Sequence, residues 1–160
     1  SNTDRSRYYV GELNGRSSKQ AYMDALHISE SNIINQTFHN PLGKMNGQDI
    51  CIISLKEVSG NGLCCYRQVN DSDVLVLLEE QDYNEILDET LQRIRRDFNH
   101  ISGVFSINCV FRYLLFSQEH HMEDYLKTMS TLGEHAGLIG FGEHYNQQFV
   151  NQTMTCVVFE

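Results

Sequence analysis

The stretch GVFSINCVF, residues 103–111, decides the predicted fold. It is rich in β-branched and aromatic residues, which is typical of a strand that is covered on both faces and not of an edge strand. A helix is predicted before it, Asp82–Ile101, and another after it, Glu119–Gly133, because apolar residues recur there at helical spacing. The inward residues of the second helix are predicted to be Met122, Tyr125, Leu126 and Met129. The strand is therefore expected to be central, with helices packed on its sheet.

Further elements are predicted on both sides of this strand. The segment 7–15 is predicted to be a strand that ends in an Asn-Gly turn, and the segment 16–28 a short helix. Asn32–Gly47 is predicted to be a long loop, because it contains the only proline. The remaining predicted strands are Asp49–Val58 and Leu63–Val69, which form a hairpin around SGNG, and Asp73–Glu80, His135–Phe141 and Gln152–Phe159.

This order of elements predicts an α+β fold with an α/β-like part. Strand and helix alternate from Val74 to Phe141, which should produce right-handed crossovers, whereas the rest should be antiparallel. The expected architecture is a single domain, with a mixed, mostly antiparallel β-sheet and about three packed α-helices. Residues 7–160 are assigned to the domain, and residues 1–6 are expected to be a tag remnant or a disordered start.

Charge and composition exclude several classes of protein. The net charge is 12 − 21 = −9, which disfavours binding to nucleic acid or to an anionic membrane surface. No apolar run reaches the ~20 residues of a spanning helix. The five cysteines include no CxxC spacing, so they are interpreted as reduced thiols of a cytoplasmic protein. No motif for a metal, a cofactor or a named reaction occurs, and none of these is predicted.

Three residues stand out as candidates for a site. Arg112 follows the central strand in apolar surroundings, where a guanidinium needs a carboxylate partner or a ligand that supplies one, unless it snorkels to the surface. Glu143 follows the strand GLIGF, and the ends of central strands are where ligands bind in α/β sheets, although an exposed turn is the alternative. Cys109 is either a nucleophile or an inert buried thiol.

Six short motifs occur in an order that is known from one protein family. They are YVGELNGRSSKQAYMDAL, HNPLG with its Pro-Leu-Gly loop, CCYRQV with a Y-x-R strand, INCVFR in an F-S-C-x-x-R segment, GLIGFGEHY in a G-F-x-x-Y-G-E segment, and FVNQT in an H-N-x-T strand. The residues that carry the later matches are Cys109, Arg112, Gly137, Gly142, Glu143, Asn151 and Thr153. Together these motifs resemble the FIST C-terminal domain over nearly the whole chain.

The sequence departs from the family pattern at four of these motif positions. Leu138 replaces a phenylalanine, Phe141 replaces a tyrosine, Val150 stands where histidine is frequent, and Asn108 replaces a serine. The polar detail of the site is therefore expected to differ from that of other members.

The resemblance implies an intracellular sensory domain of a signal-transduction protein, of a kind proposed to bind small ligands such as amino acids, and it does not imply catalysis. It also implies an N-terminal FIST half and a signalling output domain as partners. Our ligand hypothesis is that Arg112 holds a ligand carboxylate and Glu143 a ligand ammonium group. The other predicted ligand-binding residues are Gly142, Cys109, Asn108, Asn151, Thr153 and Arg67.

Three alternatives stay open at this stage. Arg112 and Glu143 could pair with each other and serve only the fold. Cys109 could serve a thiol-dependent enzyme, which requires a low pKa and a nearby histidine. The chain could instead be an interaction module, which an exposed apolar patch of several hundred Å² would indicate.

Overall fold

The computed structural model describes residues 2–47, 49–145 and 148–160, and it confirms the α+β class. Contacts divide the chain into two compact units, of which the first ends at Glu80 and the second begins at Gln81. Ser1, which belongs to the predicted tag remnant, lies outside the described residues. None of the helices in the described ranges is long and apolar enough to cross a membrane.

The N-terminal unit consists of short strands around two small helices. Its strands are β1 (Thr3–Asp4), β2 (Tyr9–Val10), β3 (Glu12–Leu13), β4 (Arg16–Ser17), β5 (Leu42–Asn46), β6 (Asp49–Ile53), β7 (Leu55–Ser59), β8 (Gly62–Cys65) and β9 (Leu75–Leu77). Its helices are α1 (Ser18–Leu26) and α2 (Ile33–Gln36), the latter preceded by a 3-10 turn, Glu30–Asn32. The strands form a sheet in the order β1-β2-β8-β7, a sheet in the order β6-β5-β9, and the hairpin β3-β4.

Turn and capping residues in the local sequence determine where the first hairpin and the first helix of this unit form. Asn14 and Gly15 both have positive φ, at 52° and 74°, as a two-residue hairpin turn requires, so the predicted Asn-Gly turn is confirmed. Helix α1 begins after Ser17, whose side chain accepts a hydrogen bond from the backbone N–H of Gln20. The hairpin around SGNG is also confirmed, as β7 and β8.

Two predictions for this unit were wrong. The segment Asn32–Gly47 is not a long loop, because it contains α2 and β5, whose residues Ile33 and Leu42 are buried in the core. Burial of these side chains outweighs the turn signals of the proline and the glycines. The predicted strand Asp49–Val58 is also interrupted at Ser54, so that β6 pairs with β5 while β7 pairs with β8.

The C-terminal unit contains three helices and a central sheet. The helices are α3 (Tyr83–Asp97), α4 (Val110–Gln118) and α5 (Met122–Ser130). The strands are β10 (Gly103–Cys109), β11 (Glu134–Gly140), β12 (Glu143–Tyr145), β13 (Gln148–Val150) and β14 (Met154–Phe159). They form a sheet in the order β11-β10-β14 and the hairpin β12-β13.

Strand β10 is central, as the sequence predicts, since it pairs in parallel with β11 and antiparallel with β14. The strand ends two residues early, however, because helix α4 begins at Val110 and buries Leu115 and Phe116. In α5, Tyr125 and Met129 are buried as predicted, whereas Leu126 is 46% exposed.

The predicted crossovers are only partly present. Strand β9 pairs antiparallel with β5 inside the N-terminal unit and therefore does not join β10 in a parallel sheet. The connection from β10 through α4 and α5 to β11 does join two parallel strands.

Strand β10 is also not covered on both faces, although the sequence predicts this. Val104, Ser106 and Asn108 are buried on one face, whereas Phe105 and Ile107 on the other are only half-buried.

Candidate functional site

The predicted site lies where β10 ends and α4 begins. Cys109 closes the strand and forms the N-cap position of α4, which places Arg112 in the first turn of that helix. Glu143 opens β12 and contacts the side chain of Thr153, which lies just before β14. The Thr153 carbonyl accepts a hydrogen bond from Cys109 N–H at 3.0 Å. Three separate parts of the C-terminal unit thus meet at this end of β10.

Arg112 is held by Asn108, which lies four residues earlier, near the end of strand β10. The Arg112 Nε–H donates to Asn108 Oδ1 at 2.9 Å, and the guanidinium lies over the Phe116 ring, 4.8 Å from its centroid. Arginine has no acceptor, so the amide oxygen of Asn108 must face Arg112 and its Nδ2 must point elsewhere. This Nδ2 is buried and has no hydrogen-bond partner within the described chain.

Glu143 is not an exposed turn residue, because it is only 2% exposed. Its Oε2 accepts a hydrogen bond from Thr153 Oγ1 at 2.9 Å, whereas its Oε1 has no hydrogen-bond partner among residues 2–47, 49–145 and 148–160. Burial raises the pKa of the Glu143 carboxyl, while the Thr153 hydroxyl, the Gly142 backbone, the Cys109 thiol and the positive charge of Arg112 act in the opposite direction. Arg112 is therefore close enough to influence Glu143 electrostatically.

The glycines of GLIGFGE make this packing possible. A Cβ at Gly140 would lie 3.3 Å from Glu143 Oε1 and 3.2 Å from Ile107 Cγ2. Gly142 has a φ of +135°, and a Cβ there would lie 2.1 Å from Phe149 Cζ. A side chain at either position would displace Glu143 or the hairpin β12-β13, which carries it.

Cys109 does not have the properties of a nucleophile. It is 1% exposed, and burial raises the pKa of its thiol, with the negative charge of Glu143 acting in the same direction. Backbone N–H groups of Phe111, Gln152 and Thr153 oppose this shift but do not reverse it. A thiol-dependent enzyme requires the opposite direction of shift, so the geometry disfavours that alternative.

The other predicted residues divide between the two units. Asn151 is buried, and Gly142 and Thr153 lie beside Glu143, all within the C-terminal unit. Arg67 belongs to the N-terminal unit, where it lines a depression of about 240 Å³ together with Lys44, Asn46, Cys51, Ile53 and Gln68. The site as described is therefore built from residues of the C-terminal unit.

Sequence analysis missed three polar residues beside the site. Ser106 Oγ and His135 Nε2 are 2.9 Å apart, and burial lowers the pKa of His135, which favours its neutral form. The Tyr125 hydroxyl is buried, and burial raises its pKa, while Ser106 and the positive charge of Arg112 act in the opposite direction. Ser106 could have been found, because it is two residues from Asn108 and so shares its face of the strand. Tyr125 and His135 lie on distant segments with no local signal.

The buried carboxyl of Glu143 should make stability depend on pH. A raised pKa means that the folded state holds the proton more tightly than the unfolded chain, whose value is near 4.5. The contribution of Glu143 to stability is then greatest below that value and falls as the pH rises through the folded pKa. We expect Glu143→Gln to be more stable than wild type at pH 7, by about 1 kcal/mol, with no advantage near pH 4.

Thermal unfolding across this pH range measures the effect. Glu123→Gln is the matched control, since Glu123 is exposed on α5 and pairs with Lys127, which lowers its pKa. The control should show no gain in stability at pH 7. An advantage of Glu143→Gln that is the same at every pH would show that charge burial is not its cause.

Comparison with known proteins identifies the family. A family model described as the FIST C domain matches residues 19–146 of the chain. No curated protein and no solved structure gives a match. The match spans both units and includes Asn108, Cys109, Arg112 and Glu143, which meet at the end of β10. Because the model covers most of the 160 residues, the chain belongs to the FIST C domain family.

Proposed function

We propose that this domain binds a small zwitterionic ligand, such as an amino acid, at the end of β10 where Arg112 and Glu143 lie. Membership of the FIST C family makes the chain a sensory, signal-transduction domain. A sensory domain needs a site that distinguishes its ligand from similar molecules. The proposal identifies that site with the buried polar groups around Arg112.

One observation carries the proposal: a buried acceptor and a buried donor both lack a partner in the described chain. They are Glu143 Oε1 and Asn108 Nδ2. Leaving such a group unsatisfied costs about 1–3 kcal/mol, more when it is charged, so these atoms reduce the stability of the apo fold. Groups of this kind are expected at functional sites, where a ligand satisfies them.

Glu143 lies on the side of the sheet that carries Ile107, whereas Asn108 points to the other side, so a ligand that reaches both must bind around the end of β10. The two atoms have the polarity that a zwitterion requires. Asn108 Nδ2 and the guanidinium of Arg112 both donate hydrogen bonds and suit a carboxylate. Glu143 Oε1 accepts and suits an ammonium group, whose positive charge would stabilise the ionised carboxylate against its burial. A compound that lacks one of the two charges leaves one of these groups unpaired, so it should bind more weakly.

The proposal is tested by isothermal titration calorimetry with a panel of amino acids. Each amino acid that binds is compared with its deaminated acid and its decarboxylated amine. We expect the amino acid to bind more tightly than either analogue, and a loss of about 10- to 100-fold in Arg112→Ala, as for a hydrogen bond to a charged group. Glu143→Gln should weaken binding of the amino acid but not of the deaminated acid.

Arg96→Ala is the matched control, since it removes the same charge from the exposed surface of α3. The control should bind as the wild type does. Absence of binding to every amino acid would overturn the ligand class. Equal binding by wild type and Arg112→Ala would overturn the site, even if an amino acid is the ligand.

We also propose that the domain works in the cytoplasm, beside an N-terminal FIST half and a signalling output domain. Three of the five cysteines are buried and none is in a disulfide among the described residues, which suits a reducing compartment. The net charge of −9 supports a partner other than nucleic acid or an anionic membrane.

A further inference from the structure

One face of the sheet β11-β10-β14 is mostly apolar and exposes several large side chains. The register places Phe105 beside Ala136 on β11 and beside Val157 on β14, and Ile107 beside Leu138. Paired residues of adjacent strands point to the same side of a sheet. The side chains on this face, together with Phe159 at its end, are here called the open face: Phe105, Ile107, Ala136, Leu138, Thr155, Val157 and Phe159. Thr155 is the polar member of this set.

The two sides of the central strand β10 differ in exposure. On the opposite side Val104, Ser106 and Asn108 are all at most 3% exposed, although Ile139 on the edge strand β11 is 42% exposed there. On the open face Leu138 is 49%, Val157 57% and Phe159 52% exposed, while Phe105 and Ile107 are half-buried. The hairpin β12-β13 reaches only the Ile107 end, where Glu143 lies near Ile107 across Gly140. The centre of the face therefore stays open.

The open face is large for a surface left to water. At roughly 100 Å² for each half-exposed large side chain and less for the others, it presents about 450 Å² of apolar area. Exposed apolar patches of this size typically mark interaction sites. Among the described residues in the same rows of the sheet, Glu134 at the edge is the one charged side chain.

We propose that the open face is the interface of a homodimer, in which it packs against the same face of a second copy. Each copy carries a net charge of −9, so most of its surface repels another copy. The open face carries almost no charge, so two copies can approach each other there with little repulsion. Two such sheets can stack about 10 Å apart with their side chains interdigitated. In a dimer with twofold symmetry, each copy covers the open face of the other.

The buried area predicts a reversible dimer. Two open faces bury about 900 Å² of apolar area, and the surrounding rim brings the total near the lower limit of about 1,200 Å² for stable interfaces. An interface at this lower limit suits weak and reversible association. Val157 lies in the middle row of the face, so it should meet Val157 of the second copy near the twofold axis.

Sedimentation equilibrium over a range of concentrations tests the proposal. The wild type should shift from a mass of 18.5 kDa towards twice that value as its concentration rises. Val157→Lys and Val157→Glu should each stay monomeric, because two like charges would meet at the axis. An equimolar mixture of the two variants should form a heterodimer, which a merely misfolded variant could not do.

Leu126→Lys on α5 is the matched control, because Leu126 is 46% exposed and lies outside the open face. It should dimerise as the wild type does. A wild type that stays monomeric up to about 1 mM would overturn the proposal. A dimer that persists in both Val157 variants would also overturn it, since the contact would then use another surface.

Discussion

Replacing Phe116 with alanine is expected to lower the free energy of unfolding by about 3–5 kcal/mol, the largest loss that we predict. Phe116 is 1% exposed, and its ring centroid lies 5.0 Å from those of Tyr83 and His121 and 5.5 Å from that of Tyr125. Alanine would leave a cavity among these rings and would also remove the contact beneath Arg112. The unfolding temperature should fall by roughly 10 °C.

Leu114→Ala is the control for this experiment, since Leu114 lies on the same helix and is 39% exposed. It should change the free energy of unfolding by less than about 1 kcal/mol. Both variants can be compared by chemical denaturation followed by circular dichroism. Similar losses in the two variants would contradict a core position for Phe116.

The second large effect is expected at Gly142. In Gly142→Ala the new Cβ would lie 2.1 Å from Phe149 Cζ on a backbone with a φ of +135°, so both contact and conformation are unfavourable. Strain and overpacking each cost about 1–3 kcal/mol, and we expect a total loss of about 3 kcal/mol. Because Glu143 follows directly, amino-acid binding should weaken as well.

A double-mutant cycle separates the steric clash with Phe149 from the unfavourable backbone conformation at position 142. Gly60 also has a positive φ, but a Cβ there would meet no atom within 4 Å, so Gly60→Ala reports the effect of a positive φ without a clash. Adding Phe149→Ala to Gly142→Ala should recover about half of the loss, because only the clash is relieved. Full additivity of the two substitutions would show that Phe149 does not restrict position 142.

Sequence patterns predicted those elements whose signals are local. Ser17 and Asp82 cap α1 and α3, and the Asn14-Gly15 turn has the two positive φ values that such a turn needs. These features depend on hydrogen bonds and backbone freedom within a few residues, so neighbouring sequence is sufficient to identify them. The strand β10 was recognised for a similar reason, because its apolar and β-branched content is continuous.

Strand partners and helix boundaries depended on distant residues. Helix α4 begins at Val110, inside a segment whose composition favours a strand, because Leu115 and Phe116 are buried only when the chain turns into a helix there. Strand β9 was expected beside β10, but its pairing with β5 satisfies its backbone within the N-terminal unit. Propensity is a weak signal, and burial decided both cases.

In the candidate site, too, some features follow from the local sequence and others only from the tertiary structure. The sequence by itself determined that a guanidinium follows an apolar strand, that a carboxylate follows GLIGFG, and that both belong to FIST C motifs. Only the tertiary structure decided that Glu143 is buried with one oxygen unsatisfied, and that Arg112 is held by Asn108. It also decided that one face of β10 is left open. The physical reason is that residue type and spacing fix which groups a chain can offer, whereas desolvation and pairing arise only where distant segments pack together.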